Sequence, residues 1–412
     1  MSDKGPEIAI VGAGIGGLTL GLALRERGVE AEVFEAATEL TEIGAAVAQS
    51  ANATRLLARL GLADQLVAAA TTPTELIYRR WNDGRRVAAQ PVSKDSWYLR
   101  RFGSPYYGIH RADLQRILIE AFGHTHLHLG SQLGSVREDS GRVRLEFGGG
   151  RVEHADIVVG VDGIRSVVRR WVTGSNGDDV VYSGTSGFRG IVAADRLPSL
   201  PDPQAIQFWM GPNAHLLHYA IGPDGGAVNF LAVEEGPSVW PAARSVVPVE
   251  PGEHLRPFEG WHPAVLEMID AVPCPGRWGL FVLRPPLRWY RGNVVLAGDA
   301  AHAMLPHHGQ GANTTIEDAF TLAELLTDGS DADLPTKLQN YQRLRRARTR
   351  QIARSSWVTN DLLHLPDGPE ADARDRRLAE VGQRFAWIHE FDAIDAVRDR
   401  GVTSAAAEAA QN

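Results

Sequence analysis

Two rhythms of apolar residues divide the chain. Up to about residue 180, short apolar runs alternate with stretches whose apolar positions recur every three or four residues. EIAIV, Glu7 to Val11, ends at Gly12; Leu18 to Arg27 has helical spacing and stops at Gly28; AEVFE follows over 31–35. This order predicts a strand, a helix and a second strand, one βαβ unit. Helices are also predicted over about 52–60, ending at Gly61, and over 111–122, just after the strand-like YYGIH. RVRLEF and ADIVVGVDG read as strands, the second so continuously apolar that both its faces must be covered.

From about 180 to 287 the rhythm changes. GFRGIVAA, AIQFWMG, AHLLHYAIG and AVNFLAVEE follow one another between Gly, Pro and Asp, with no helical pattern before about 263, so an antiparallel sheet is predicted. ELIYRRWNDGRRVAA, 75–89, has a hairpin signal at Asn82-Asp83-Gly84 and is expected to join that sheet. Strand–helix alternation then returns, with a strand at 293–297, a helix over about 312–326 and a long arginine-rich helix over about 335–363. The fold class expected is α/β: a Rossmann-like unit (1–75, 100–180 and 288–365) interleaved with an antiparallel-sheet unit (76–99 and 181–287), followed by C-terminal helices and an Ala-rich, frayed tail (366–412).

Composition narrows the function classes. The chain has 412 residues, 44% hydrophobic and 22% charged, enough to bury a large core. Its net charge is −8 and its arginines are scattered among acidic residues, which argues against a nucleic-acid partner. One cysteine, Cys274, excludes an internal disulfide framework and a cysteine-based metal site, and no metal is expected. The first residues are polar and no apolar run approaches the roughly 18 residues of a membrane span. Neither a signal peptide nor a membrane contact is therefore expected, and the cytoplasm is the expected location.

Three motifs carry the candidate chemistry. VGAGIGG places Gly12, Gly14 and Gly17 in the G-x-G-x-x-G pattern between a strand and a helix, with Glu35 closing the next strand. Glycines there permit a tight turn and close backbone approach, the helix N-terminus faces a pyrophosphate, and the acid accepts ribose hydrogen bonds. An acid at 35 also repels a 2′-phosphate, favouring FAD or NAD over NADP at this site. GVDGIRSVVR, 160–169, puts Asp162-Gly163 after an apolar strand with Arg165 and Arg169 near a helix start. GDAAHAMLPHHGQGANTTIEDA, 298–319, repeats that logic with Gly298-Asp299.

The order and spacing of these motifs resemble the class A flavin-dependent aromatic hydroxylases over nearly the whole chain. HRADL at 110–114 and GPNAHLLHYAIG at 211–222 are most similar to the salicylate and 6-hydroxynicotinate branches of that family. The resemblance implies that Gly12, Gly14 and Gly17 hold the FAD pyrophosphate, Glu35 the adenosine ribose, Arg111 a phosphate or ribitol oxygen, and Asp299 the ribitol. It implies that Asp162 serves FAD and a transient NADH or NADPH. Pro306 to Asn313 would lie along the isoalloxazine, with the backbone N–H groups of Gly311, Ala312 and Asn313 near its N1–C2=O edge. The activity implied is hydroxylation of a small phenolic or aminophenolic aromatic acid with NAD(P)H and O2 through a flavin C4a-hydroperoxide. The alternative is epoxidation, or hydroxylation of a larger natural-product aromatic. The partners implied are the small aromatic substrate and O2, for a monomer or homodimer.

A phenol attacks an electrophilic oxygen best after losing its proton, so a base or relay is expected beside it. His215 and Tyr219 share one face of a predicted strand with Leu217 between them, while Leu216 and His218 face the other way. His215 is expected to take the proton first, Tyr219 second, with His307 as the relay. His302 is expected to pack within its loop, His308 to lie on the surface, and Arg189 to be structural. Two positions depart from the nicotinate pattern: in the segment Gly44 to Ala48, alanine stands at 48 where that enzyme has histidine, with Gln49 the nearest polar residue, and Ile206 replaces a cysteine. With Pro306, Ala48 and Ile206 are expected to line the substrate pocket, and they point toward a carbocyclic phenol or aminophenol bearing an acid group.

Overall fold

The computed structural model describes residues 6–40, 46–242, 244–273, 276–378 and 381–399. Cys274, Gly44 with Ala45, and the Ala-rich tail lie outside the described residues. The first sheet has six strands, in spatial order Tyr290–Arg291, Val294–Leu296, Ile157–Gly160, Ile8–Val11, Ala31–Phe34 and Leu127–His128. All neighbours run parallel except the edge pair Tyr290–Arg291 with Val294–Leu296. Every residue of Ile157–Gly160 is buried, as its unbroken apolar run predicts.

The first helix spans Ile15–Arg25 and starts three residues earlier than its apolar spacing suggests. Its glycines explain the difference, because close packing selects them. A Cβ on Gly17 would sit 1.9 Å from the Gly12 carbonyl oxygen, and one on Gly16 would sit 2.0 Å from Thr315 Cγ2 on helix Gln310–Leu326. GIGG is thus both turn and helix, and it brings the two helices together over one core.

The second sheet has eight strands, in the order Val246–Val247, Arg277–Leu283, Val180–Ala193, Ala227–Glu235, Ala214–Ile221, Ile206–Gly211, Glu75–Arg80 and Arg86–Pro91. The hairpin at 82–84 joins it as expected. It is mixed rather than wholly antiparallel, because Ile206–Gly211 pairs parallel with Glu75–Arg80. The chain leaves the sheet after Arg86–Pro91, builds much of the first unit and re-enters, and such a long crossover permits parallel pairing. One face packs through Leu216, Trp209 and Phe230 against helix Pro263–Asp270, and the other presents Phe208, Met210 and Tyr219 to the cleft between the sheets.

Candidate active site

Gly12, Gly14, Glu35, Arg111 and Asp162 line one cavity, open to the centre of a water-sized sphere over about 430 Å³. Gly12 has φ +111°, and a Cβ on it would meet the Val161 carbonyl oxygen at 2.4 Å. A Cβ on Gly14 would meet no protein atom within 4 Å, so that glycine keeps the cavity clear. The Glu35 carboxylate accepts the N–H groups of Ala13 (2.8 Å) and Ala37 (2.9 Å), which fixes it at the rim while each oxygen keeps a free lone pair. At the start of helix Val167–Thr173, whose cap is Ser166, Asp162 accepts the Val167 N–H at 2.7 Å and the Ser166 hydroxyl, and burial raises its pKa. Gln115 also lines the cavity, and its Oε1 is buried without a partner. A cavity kept clear by one glycine, with an unpaired acceptor in its wall and a helix N-terminus at its edge, fits the adenosine diphosphate of FAD.

Asp299 begins the short helix Asp299–His302 with its side chain exposed. Below it the loop is locked by a buried charge network. Asp318 accepts the Gly298 N–H (2.8 Å), His302 Nε2 (2.5 Å) and Arg345 Nε (2.6 Å); Glu317 meets Arg345 at 2.7 Å and Arg348 at 3.0 Å. Although burial works against their charge, Arg348 and Arg345 hold Glu317 below the usual carboxylate range, and His302 and Arg345 do so for Asp318. His302 thus packs within the loop as expected. Gly309, at φ +62°, turns the chain into helix Gln310–Leu326, whose first-turn N–H groups at Gln310, Gly311 and Ala312 have no intrahelical acceptor. The Asn313 amide accepts the Ser50 N–H at 3.0 Å and donates to the Ala48 and Gly309 carbonyls. Its side chain ties strand Ala46–Gln49 to the loop.

A second, narrower cavity, about 60 Å³ on the same measure, is lined by Ala48, Ile206, Tyr219 and His307 together with Tyr78, Phe208 and Leu217. Pro306 does not line it; it opens the turn Pro306–His308 that carries His307 into the wall. His215 is not in the wall either. It stands behind His307, ring centroids 4.9 Å apart, and its Nδ1 shares a 2.7 Å hydrogen bond with His364 Nε2 at the end of helix Leu334–Leu363. His307 thus faces the cavity and His215 stands behind it. Neither nitrogen of His307 has a partner among the described residues; Asn360 lies beside the ring outside hydrogen-bonding geometry. Burial, reinforced by the neighbouring histidines, lowers the pKa of His307 to about 3 and that of His215 well below its ordinary value; burial lowers His364 to about 4. All three rings are neutral near pH 7. Burial pushes the Tyr219 hydroxyl far upward, so it keeps its proton at neutral pH.

Sequence reasoning missed several wall residues. His308, expected on the surface, lines the cavity, bonds Ser355 Oγ at 2.9 Å and packs on Phe385. Gly382, Phe385 and His389 close the cavity from the C-terminal segment, and Tyr98 bonds His389 Nδ1 at 2.7 Å. Tyr98, Phe102 and Tyr106 come from a stretch whose aromatic residues were the one available signal. Arg189 stacks over Trp278 at 3.6 Å, consistent with a structural role.

A Rossmann-like unit with a dinucleotide cavity, joined across a loop to an aromatic-lined cavity on a second sheet, defines a flavin-dependent aromatic monooxygenase. The chain belongs to the FAD binding domain family, whose model matches residues 6–356. It is 40% identical over 399 residues to a 3-amino-4-hydroxybenzoate 2-monooxygenase of Streptomyces platensis, covering 95% of this chain and 98% of that one. It is 33% identical to a salicylate hydroxylase of Pseudomonas putida, covering 94% and 93%. The solved salicylate hydroxylase substrate complex superposes with a TM-score of 0.82 at 29% identity, covering 96% and 98%. The enzyme uses FAD, with NADH or NADPH as reductant.

Proposed function

We propose that this enzyme hydroxylates an amino-hydroxybenzoate at the carbon next to the amine. The similarity to 3-amino-4-hydroxybenzoate 2-monooxygenases supports the substrate class. The observation that carries the chemistry is His307, a buried neutral ring in the cavity wall with both nitrogens unpaired. Bound flavin, reduced by NAD(P)H, supplies an electrophilic oxygen atom from O2; the second oxygen leaves as water. Gly12, Gly14, Glu35 and Arg111 would hold the nucleotide, Asp299 the ribitol, and Gly311 to Asn313 the ring edge where charge gathers.

In such a substrate, carbon 2 is ortho to the amine and meta to the hydroxyl. The nitrogen lone pair, rather than a phenolate, therefore drives electrons toward the carbon that forms the new C–O bond. As that bond forms, the N–H groups become acidic and His307 accepts one proton. Loss of the proton from carbon 2 then restores the aromatic ring while the nitrogen takes its proton back, so the one proton released overall is matched by one that the second oxygen takes up in leaving as water. A histidine whose pKa is lowered to about 3 by burial does not keep a proton at neutral pH, so His307 returns it to the nitrogen at that step. Tyr219 donates a hydrogen bond that orients the ring. No cationic side chain lines the cavity among the described residues, and the carboxylate is assigned to Arg384, which lies beside the wall residues Tyr78 and Phe385 and makes no ion pair among the described residues.

The test offers the holoenzyme 3-amino-4-hydroxybenzoate, 4-hydroxybenzoate and salicylate with labelled O2. The aminophenol should accelerate flavin reduction most and carry the label beside its amine. Hydroxylation of salicylate alone would remove the amine-directed reading.

A further inference from the structure

Helix Leu334–Leu363 sorts its arginines between two faces. Arg345 and Arg348 point inward and are neutralised by Glu317 and Asp318. Arg346, Arg350 and Arg354, spaced by four residues, share another face and make no ion pair among the described residues; Arg346 donates only to the Leu287 carbonyl, at 3.1 Å. Beneath this stripe lies a third cavity, open to a water-sized sphere over about 300 Å³ and lined also by Trp289, His302, Met304 and Trp357. Trp289 is packed on His302, at 5.3 Å between centroids, whereas Trp357 is 38% exposed.

Three unpaired guanidinium groups on a chain of net charge −8 mark a place for an anion. An exposed indole beside them suits a flat ring, and the volume falls at the lower end of ligand sites. The enzyme's reductant has this chemistry, a purine base joined to a diphosphate, and it must leave after each turnover. The glycine-motif cavity, the other site with nucleotide chemistry, is required by FAD itself. The third cavity also lies against Ala301 and His302, in the same short helix as Asp299. We propose that it receives the adenosine-phosphate end of NAD(P)H, with Arg350 and Arg354 pairing with phosphate oxygens and Trp357 stacking on the base. The proposal goes beyond the substrate assignment and stands or falls independently of it.

Rapid-mixing measurements of flavin reduction against NAD(P)H concentration test it on the holoenzyme. Arg350→Glu combined with Arg354→Glu should raise the half-saturating NAD(P)H concentration at least tenfold, with FAD content and the product yield of dithionite-reduced enzyme unchanged. Arg350→Gln with Arg354→Gln should shift it in the same direction by less. ADP and 2′,5′-ADP should compete with NAD(P)H in the unaltered enzyme, which needs no variant. An unchanged concentration dependence, or fragments that fail to compete, would overturn the proposal. A changed oligomeric state with unchanged reduction kinetics would also overturn it and assign the face to a second copy of the chain.

Discussion

The FAD cavity and the substrate cavity are made of different material. Around the FAD cavity the decisive atoms belong to the backbone: the open side of Gly14 and the tight turn at Gly12. The substrate cavity is a wall of side chains brought from residues 48, 76–106, 206–219, 307–308 and 382–389. A backbone cradle tolerates little except glycine, yet it serves any ligand with the same phosphates. A side-chain wall can change residue by residue, and it is where one aromatic acid is told from another.

Gly14→Val is the most severe test of that contrast. Because a Cβ at 14 meets no protein atom within 4 Å, the fold should survive, as judged by circular dichroism. The side chain would fill the cavity, so flavin absorbance should be lost entirely from the purified protein. A yellow, active Gly14→Val enzyme would mean that the pyrophosphate lies elsewhere.

His307→Ala should do the reverse, keeping FAD and losing chemistry. Product formation should fall by about 10²- to 10⁴-fold, the scale of a positioned base, while NAD(P)H oxidation continues and releases H2O2. Added imidazole should restore part of the coupling. His364→Gln should give a smaller loss, because it removes the hydrogen bond that holds His215 behind His307 without touching the cavity. Wild-type coupling in both variants would leave the role of His307 unsupported.

The same contrast explains what could be read from the sequence. Contiguous motifs announce a backbone cradle, so Gly12, Gly14, Glu35 and the Gly298-Asp299 turn were legible, as were both sheets and the helix Arg111–Phe122. Period-two alternation also put His215 and Tyr219 on one strand face. It could not show that His307 faces the cavity with His215 behind it, because that depends on how a turn meets a strand far away in sequence. His364, His389 and Phe385 lie in polar helical segments with no motif, and only tertiary packing brings them to the wall. The parallel pairing of Ile206–Gly211 with Glu75–Arg80 was hidden for the same reason.

Acid should separate the two regions next. His215, His307, His308, His364 and His389 are buried with pKa values held below 6.5. Unfolded chains bind protons at these rings near pH 6.5 and the native state does not. Stability is therefore full above about pH 6.5 and declines as pH falls toward the native values near 3 to 4. The slope is about 1.4 kcal/mol per pH unit for each ring that stays neutral. Glu317 and Asp318 have depressed values, so the network under the FAD loop keeps its charge until pH falls below the ordinary carboxylate range. Between pH 6.5 and 5, hydrogen exchange should accelerate around residues 206–221 and 364–389 before flavin is released. Simultaneous opening of both regions would contradict separate stabilisation.

The smallest expected effect is at Arg384. Its side chain is exposed, so an ion pair with the substrate carboxylate is screened by water and contributes about 0.2–1 kcal/mol, or roughly a 1.4- to 5-fold change in binding. Arg384→Ala should raise KM for an aminobenzoate by that factor and leave kcat near its original value, since the carboxylate sits away from the carbon that reacts. The amide of the same substrate, which has no charge, should bind the variant and the original enzyme equally well. A fall in kcat with unchanged KM would place Arg384 in the chemistry rather than at the substrate carboxylate. An equal loss for acid and amide would mean that the side chain supports Phe385 and the cavity wall instead of pairing with a carboxylate.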